Sequence, residues 1–105
     1  MRLRFRVLNT SLKGLQYETD KDTVQVGRAE ENDLVLQEKS VSRHHASITA
    51  RDGVMEVEDQ DSRNRTELDG QPVSSSTPFS SGCILSFGDV AVQVTRPDLA
   101  PAPAE

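Results

Sequence analysis

Short runs in which apolar and polar side chains alternate, separated by glycine- and aspartate-bearing turns, leave this chain few ways to bury its apolar atoms other than as β-strands. Leu3, Phe5 and Val7 alternate with Arg2, Arg4 and Arg6, the pattern of a strand with one face in the core and one in water. The arginine face is also expected to protect a sheet edge. Further runs cover 15–19, 23–26, 34–36, 46–50, 54–58, 66–68, 83–87 and 90–95. Asp52-Gly53 parts Ser47-Ile48-Thr49-Ala50 from Val54-Met55-Glu56-Val57, and Asp-Gly readily takes the positive φ angles of a type I′ turn, so a hairpin is predicted there. Gly88-Asp89 has glycine first, as type II′ requires, and Asp69-Gly70 reads as another tight reversal. No segment sustains helical spacing. Many short strands with near-regular turn signals imply an all-β sandwich or barrel. The serine-rich stretch 74–78 reads as polar loop, and 97–105, rich in proline and alanine, as a disordered tail or linker after a domain covering 1–96.

A chain of 105 residues has room for one core and none for a catalytic domain with a separate regulatory one. No apolar run approaches the roughly 20 residues of a membrane span. The basic start Met1-Arg2-Leu3-Arg4-Phe5-Arg6 lacks the apolar stretch that a signal peptide needs, so a cytoplasmic protein without a membrane partner is expected. Cys83 is the only cysteine, which excludes an intrachain disulfide; its apolar surroundings predict a buried, reduced thiol. A net charge of -5 argues against nucleic acid as a partner, because non-specific affinity for it comes from a broad basic face. Yet Arg28, Arg43, Arg63 and Arg65 all fall in loops or at loop edges. An acidic protein with a local cationic site suits one small anion better than a polyanion.

Ser42-Arg43-His44-His45 follows Gly27-Arg28 and precedes Asp59-Gln60-Asp61-Ser62-Arg63-Asn64-Arg65-Thr66. These segments place a cation, a hydroxyl and an amide on separate loops, the groups that together hold a phosphate ester and the peptide carrying it. An enzyme is the rival reading, with Ser42, His45 and one of 17 carboxylates as nucleophile, base and orienting acid. No nucleophile-elbow motif supports it, and no glycine-rich phosphate loop is present. Two adjacent histidines and a distant cysteine do not have metal-ligand spacing, so neither metal nor cofactor is expected.

Gly27-Arg28, Asn32-Asp33-Leu34-Val35-Leu36, Val41-Ser42-Arg43-His44-His45-Ala46, and Ser62-Arg63-Asn64-Arg65-Thr66 with Asp69-Gly70 together resemble a forkhead-associated (FHA) domain over roughly residues 3–96. The resemblance implies a β-sandwich of about eleven strands that binds phosphothreonine peptides with loops at one end and performs no chemistry. It gives Arg28 the phosphate clamp, Ser42 and Arg43 further phosphate contacts, Arg63 a supporting contact, and Asn64 the backbone of the bound peptide. It gives Gly27, His45 and Thr66 the support of the loops, and His44 no role. A guanidinium at position 28 can offer paired donors that a lysine cannot; the bland alternative is an ion pair with Glu30 or Glu31. Ser42 can equally cap its own turn, and Asn64 can be a turn former. Arg65 stands where the resemblance leads one to expect glycine, so either the loop takes another conformation or the side chain turns outward. Arg63 and Arg65 are expected to attract acidic residues flanking the phosphothreonine. The partner implied is a phosphothreonine-containing protein read by a monomeric adaptor; the alternative is a phosphorylation-independent interaction module on the same fold.

Overall fold

The computed structural model describes residues 2–60, 62–73 and 76–96. The eleven strands are β1 (Leu3–Val7), β2 (Gln16–Thr19), β3 (Thr23–Gly27), β4 (Leu34–Val35), β5 (Ala46–Arg51), β6 (Val54–Asp59), β7 (Thr66–Leu68), β8 (Gln71–Val73), β9 (Thr77–Phe79), β10 (Ile84–Phe87) and β11 (Val90–Thr95). They form a six-stranded sheet in the order β2-β1-β11-β10-β7-β8 and a five-stranded sheet in the order β4-β3-β5-β6-β9. The described residues contain no helix. β4 joins β3 in parallel, and every other pairing among the described residues is antiparallel.

Period-2 alternation places the core. β1 buries Leu3, Phe5 and Val7, β5 buries Ala46, Ile48 and Ala50, and β11 buries Val90, Val92 and Val94. Val24, Val26, Met55, Val57, Leu85 and Phe87 extend the facing layers, with Leu34, Leu36, Val41, Val73 and Phe79 in the same core. Each fully buried valine, leucine or phenylalanine contributes roughly 1.5–3 kcal/mol. The predicted all-β sandwich is therefore the observed one.

Three details differ from the sequence reading. β1 is no edge, because β2 pairs with it in the register Arg4↔Glu18. Its arginine face instead meets a carboxylate: Glu18 accepts from Arg4 Nε at 2.7 Å and from Arg2 Nε at 3.1 Å, and these bonds hold its carboxyl below the usual range. β8 and β9 were not foreseen, and each contains a proline, Pro72 and Pro78. Both strands lie at sheet edges, where a residue without an N–H is tolerated and discourages the addition of another strand. The stretch read as loop over 74–78 thus becomes strand at Thr77 and Pro78, while Ser74 and Ser75 lie outside the described residues, as does the tail reading for 97–105.

Of the predicted turns, one lies at the far end of β5 and β6 and another at the end of the sandwich that matters below. Asp52 and Gly53 have φ of 55° and 80°, the predicted type I′ geometry joining β5 to β6. Gly88, at φ 63°, opens the β10–β11 turn and meets a further constraint. A Cβ there would lie 2.3 Å from the Ser40 carbonyl oxygen, whereas a Cβ on Gly53 would meet nothing within 4 Å. The next residue, Asp89, donates its N–H to Ser40 Oγ at 2.9 Å, so this turn is docked against the loop between β4 and β5.

The two glycines make a controlled comparison. Gly53→Ala carries only the cost of a side chain at positive φ, about 1 kcal/mol, while Gly88→Ala also forces the Ser40 loop away and is expected to cost about 2–4 kcal/mol. Urea unfolding of the two variants checks this; equal losses would show that the docking contributes nothing.

Candidate functional site

β3 ends at Gly27, and the chain leaves the sheet there because Gly27 sits against the β4–β5 loop. A Cβ on Gly27 would lie 2.1 Å from the Arg43 carbonyl oxygen, so no larger residue fits without displacing that backbone. The same carbonyl accepts from Ala29 N–H at 3.2 Å and from the buried Asn32 side-chain amide at 2.7 Å. Arg28 N–H donates to the Ser42 carbonyl at 2.9 Å. Position 28 is thereby fixed beside position 42, and the exposed Arg28 side chain projects from a backbone with little freedom.

His45 joins this loop to the one between β6 and β7. Its ring is fully buried and lies edge-on to Phe87 at a centroid distance of 5.7 Å. Nδ1 accepts from Ser42 N–H at 3.0 Å, and Nε2 lies 2.7 Å from the Arg65 carbonyl oxygen. One acceptor and one donor define the neutral ring protonated at Nε2. Burial holds the imidazole below its ordinary pKa, against the opposing pull of the Arg65 carbonyl and the Asp59 charge. Both ring nitrogens are thus committed and neither meets the Ser42 hydroxyl, so the pair is not arranged as base and nucleophile.

The β6–β7 loop is braced from below. Thr66, fully buried, donates its hydroxyl to Asp59 Oδ1 at 2.8 Å, and Asp59 Oδ2 accepts Ser62 N–H at 3.0 Å. Asp59 is partly desolvated, which opposes its ionisation, but the bonds from Ser62 and Thr66 outweigh this and keep the carboxyl below the usual range. Above the brace, Arg63 N–H donates to Ser42 Oγ at 2.9 Å, and the Asn64 amide nitrogen donates to the Ser40 carbonyl at 2.8 Å.

Arg65 resolves the question its sequence position raised. It adopts the left-handed conformation at φ 67° despite its side chain, which is exposed. Its carbonyl serves two donors, the His45 ring and Gly88 N–H at 3.2 Å, and that double duty holds the backbone there. The loop therefore keeps the conformation expected of a glycine, with the side chain turned outward.

These contacts surround one cavity of about 250 Å³, lined by Arg28, Lys39, Ser40, Val41, Ser42, Arg43, Arg63 and Asn64. All five residues singled out as ligand contacts, Arg28, Ser42, Arg43, Arg63 and Asn64, stand around it. Among the described residues none of its four cations is ion-paired, and Glu31 pairs with the exposed His44 at 3.3 Å and not with Arg28. Nearby carbonyls that would repel an anion are already used as acceptors: those of Ser40, Ser42, Arg43 and Arg65. Ser42 spends a lone pair on Arg63 N–H and keeps its own hydroxyl hydrogen to donate. The result is a concave surface of donors and positive charge.

Lys39 and Ser40 were missed by the sequence reading, although they adjoin Val41-Ser42. Asn32 and Asp59 were missed as well; the signal was the Asp59-x-x-Ser62 spacing, by which a carboxylate can accept the N–H three residues on. Cys83 is only partly buried, and burial pushes its thiol above the ordinary value. No helix among the described residues is long and apolar enough to cross a membrane.

Two measurements probe this scaffold. Because the folded state holds His45 neutral, its contribution to stability is fully present above about pH 6.5 and is lost as pH falls from there toward the depressed folded value. Urea unfolding between pH 7.5 and 5 should show stability falling by up to about 1.4 kcal/mol per pH unit, a slope absent from His45→Gln. Arg65→Gly relieves a strained φ and should raise stability by about 0.5–1 kcal/mol, a few degrees in Tm; a lower Tm would contradict the backbone account.

A family model described as the FHA domain matches residues 24–88. The oxoglutarate dehydrogenase inhibitor of Corynebacterium diphtheriae is 36% identical over 76 residues, which span 72% of this chain and 48% of that protein. The FHA domain of a Chlamydia trachomatis protein has the same fold with a TM-score of 0.82 at 26% identity, covering 95% of this chain and 100% of that one. Mycobacterium tuberculosis EmbR, solved in complex with a low-affinity phosphopeptide, shares the fold with a TM-score of 0.80 at 22% identity over 90% of this chain and 24% of that one. The chain spans between 8% and 57% of the length of the curated relatives it matches. Since the matched segment runs from β3 to the β10–β11 turn and includes every loop around the cavity, the chain belongs to the FHA domain family, a family of binding modules and not of catalysts.

Proposed function

We propose that this domain, over residues 1–96, reads phosphothreonine in a partner protein and acts as a monomeric cytoplasmic signalling or assembly adaptor. One observation carries the reading: four cations, a serine hydroxyl and a side-chain amide line a single cavity, and none of the cations is ion-paired among the described residues. Arg28 clamps two phosphate oxygens with paired N–H donors. Ser42 donates its hydroxyl to a third oxygen, and Arg43 adds charge beside it. Asn64 has one amide N–H and its carbonyl oxygen left after bonding Ser40, enough to hold the backbone of an extended peptide. Arg63 extends the cationic rim.

Gly27, His45 and Thr66 support these groups without touching the ligand. The chemistry of the cavity supports this kind of partner, and so does EmbR, a protein of the same fold solved with a phosphopeptide. Small peptide readers of this type work near the micromolar range, about -8 kcal/mol.

Arg28→Ala tests the clamp. Removing one partner of a desolvated charge pair costs on the order of 2–5 kcal/mol, so binding to a phosphothreonine peptide should fall by about 30-fold or more while the circular dichroism and Tm stay those of the parent. A second arm uses a library of phosphothreonine peptides and their unphosphorylated twins in a fluorescence-anisotropy titration. Binding that depends on the phosphate supports the reader; equal binding of both forms would favour a phosphorylation-independent module on the same fold.

A further inference from the structure

We propose that the β2 edge of the six-stranded sheet docks against the same edge of a second copy of this chain, the two strands running antiparallel about a two-fold axis at Tyr17. The pairing is independent of what the cavity binds.

Four strands end the two sheets, β2 and β8 in one and β4 and β9 in the other. Three of them are closed to further pairing. β8 and β9 carry Pro72 and Pro78. β4 is only two residues long, and the β3 backbone just before it is already taken: Asp33 Oδ2 accepts Gln25 N–H at 2.8 Å, and Asp33 N–H donates to the Gln25 carbonyl at 2.9 Å. β2 has neither a proline nor such a plug among the described residues.

The pairing with β1 fixes which groups of β2 face outward. Val7 N–H donates to the Leu15 carbonyl at 2.9 Å, while Leu8 N–H turns the other way and donates to the Ala91 carbonyl at 2.8 Å. Alternation from there along the register Arg6↔Gln16 to Leu3↔Thr19 points the backbone of Tyr17 and Thr19 at β1 and that of Gln16 and Glu18 away from it. No group among the described residues bonds those outward N–H and C=O groups.

This strip is self-complementary in one register. With Tyr17 opposite the second copy's Tyr17, Gln16 faces Glu18 on both sides of the axis, and each such pair can exchange both of its N–H···O bonds. The side chains agree. Gln16 and Glu18 are exposed on the outer face, where the amide of one copy meets the carboxylate of the other, a carboxylate whose charge Arg2 and Arg4 already temper. On the opposite face Leu15 is 38% exposed and Tyr17, tilted against Phe5 at 5.9 Å, is partly buried, so each copy covers the apolar rim of the other. Sliding the register by two residues loses this fit. One direction sets Glu18 against the second copy's Glu18, and the other sets it against Gly14, which precedes the strand.

A four-residue edge is about 13 Å long and buries far less than the roughly 1,600 Å² of a standard interface. The free domain therefore stays monomeric in dilute solution and pairs where copies are crowded. The geometry also sends the two cavities apart. Asn9, in the loop before β2, bonds the Asp89 carbonyl at 3.0 Å and Ala91 N–H at 2.8 Å, and Asp89 is docked on Ser40 at the cavity, so antiparallel β2 strands place the two cavities at opposite ends of the pair. Such a pair bridges two ligands and cannot clamp adjacent sites on one.

Sedimentation equilibrium of the full chain from about 10 µM to about 1 mM should show reversible dimerisation with a Kd of about 0.1–1 mM. Gln16→Lys faces Glu18 twice in the dimer and should tighten it about fivefold, whereas Gln16→Glu should weaken it about fivefold, both with the Tm of the parent because the side chain is exposed. The register is read separately. Gln16→Cys and Glu18→Cys, each combined with Cys83→Ser, are mixed under mild oxidation, and the mixed disulfide should outrun both like-with-like dimers because facing Cα atoms stand about 5.5 Å apart. A chain that stays monomeric to about 1 mM, an affinity that neither charge at position 16 moves, or cysteines that couple without preference overturns the proposal.

Discussion

A neutral imidazole holds the binding end of this FHA domain together. His45 accepts from the N–H of Ser42 and sits 2.7 Å from the carbonyl of Arg65, linking two loops that are otherwise separate in sequence. Only the uncharged ring can do both, because an imidazolium would face the Ser42 N–H with a donor of its own. The burial that makes charging costly therefore secures the neutral state the bridge requires, and the two hydrogen bonds select its tautomer. Phe87 provides part of that burial, so a core strand of the six-stranded sheet sets the protonation state of a residue that organises loops beyond the sheet.

The bridge explains how a chain of net negative charge keeps a positive site. Anion recognition by backbone and side chain needs donors presented and acceptors withdrawn. Here the withdrawal is achieved by internal bonding: Asn64 covers the Ser40 carbonyl, Arg28 N–H covers that of Ser42, Asn32 and Ala29 cover that of Arg43, and His45 and Gly88 cover that of Arg65. Each such bond adds about 1 kcal/mol to stability, but its larger effect is to leave donors as the groups facing the cavity. The glycines serve the same end. At Gly27 and Gly88 the absence of a side chain lets a carbonyl of the β4–β5 loop come within a distance that any Cβ would forbid.

The strands were legible because their signal is local. Alternation in β1, β5 and β11 and the Asp52-Gly53 and Gly88-Asp89 turns depend on neighbours a few residues apart, and the structure repeats them with ends shifted by a residue or so. β8 and β9 were hidden by Pro72 and Pro78, whose exclusion from strands is lifted only by an edge position that topology, and not sequence, decides. The edge role supposed for the β1 arginines failed for the same reason, since β2 covers that side. In the site, Arg28, Ser42, Arg43, Arg63 and Asn64 could be named from their chemistry and motif order. Lys39 and Ser40 could not, because a lysine and a serine in a loop carry no signal until Asn64 is seen to anchor the Ser40 carbonyl and Asp89 the Ser40 hydroxyl.

Arg65 shows why residue type alone did not decide the loop. A left-handed φ costs a residue with a side chain about 1–2 kcal/mol, which argues for another conformation when the position is considered in isolation. Moving its carbonyl away would leave the Nε2–H of a fully buried histidine without its acceptor and release the Gly88 N–H as well. An unsatisfied buried donor costs about 1–3 kcal/mol, which matches or exceeds the strain, and the lost bond from the partly buried Gly88 adds to it. The left-handed state therefore wins on the requirements of its neighbours. The geometry that a glycine would adopt freely is imposed on an arginine by the acceptor demand of His45 and Gly88, and its side chain is sent outward because the backbone has no other way to meet both.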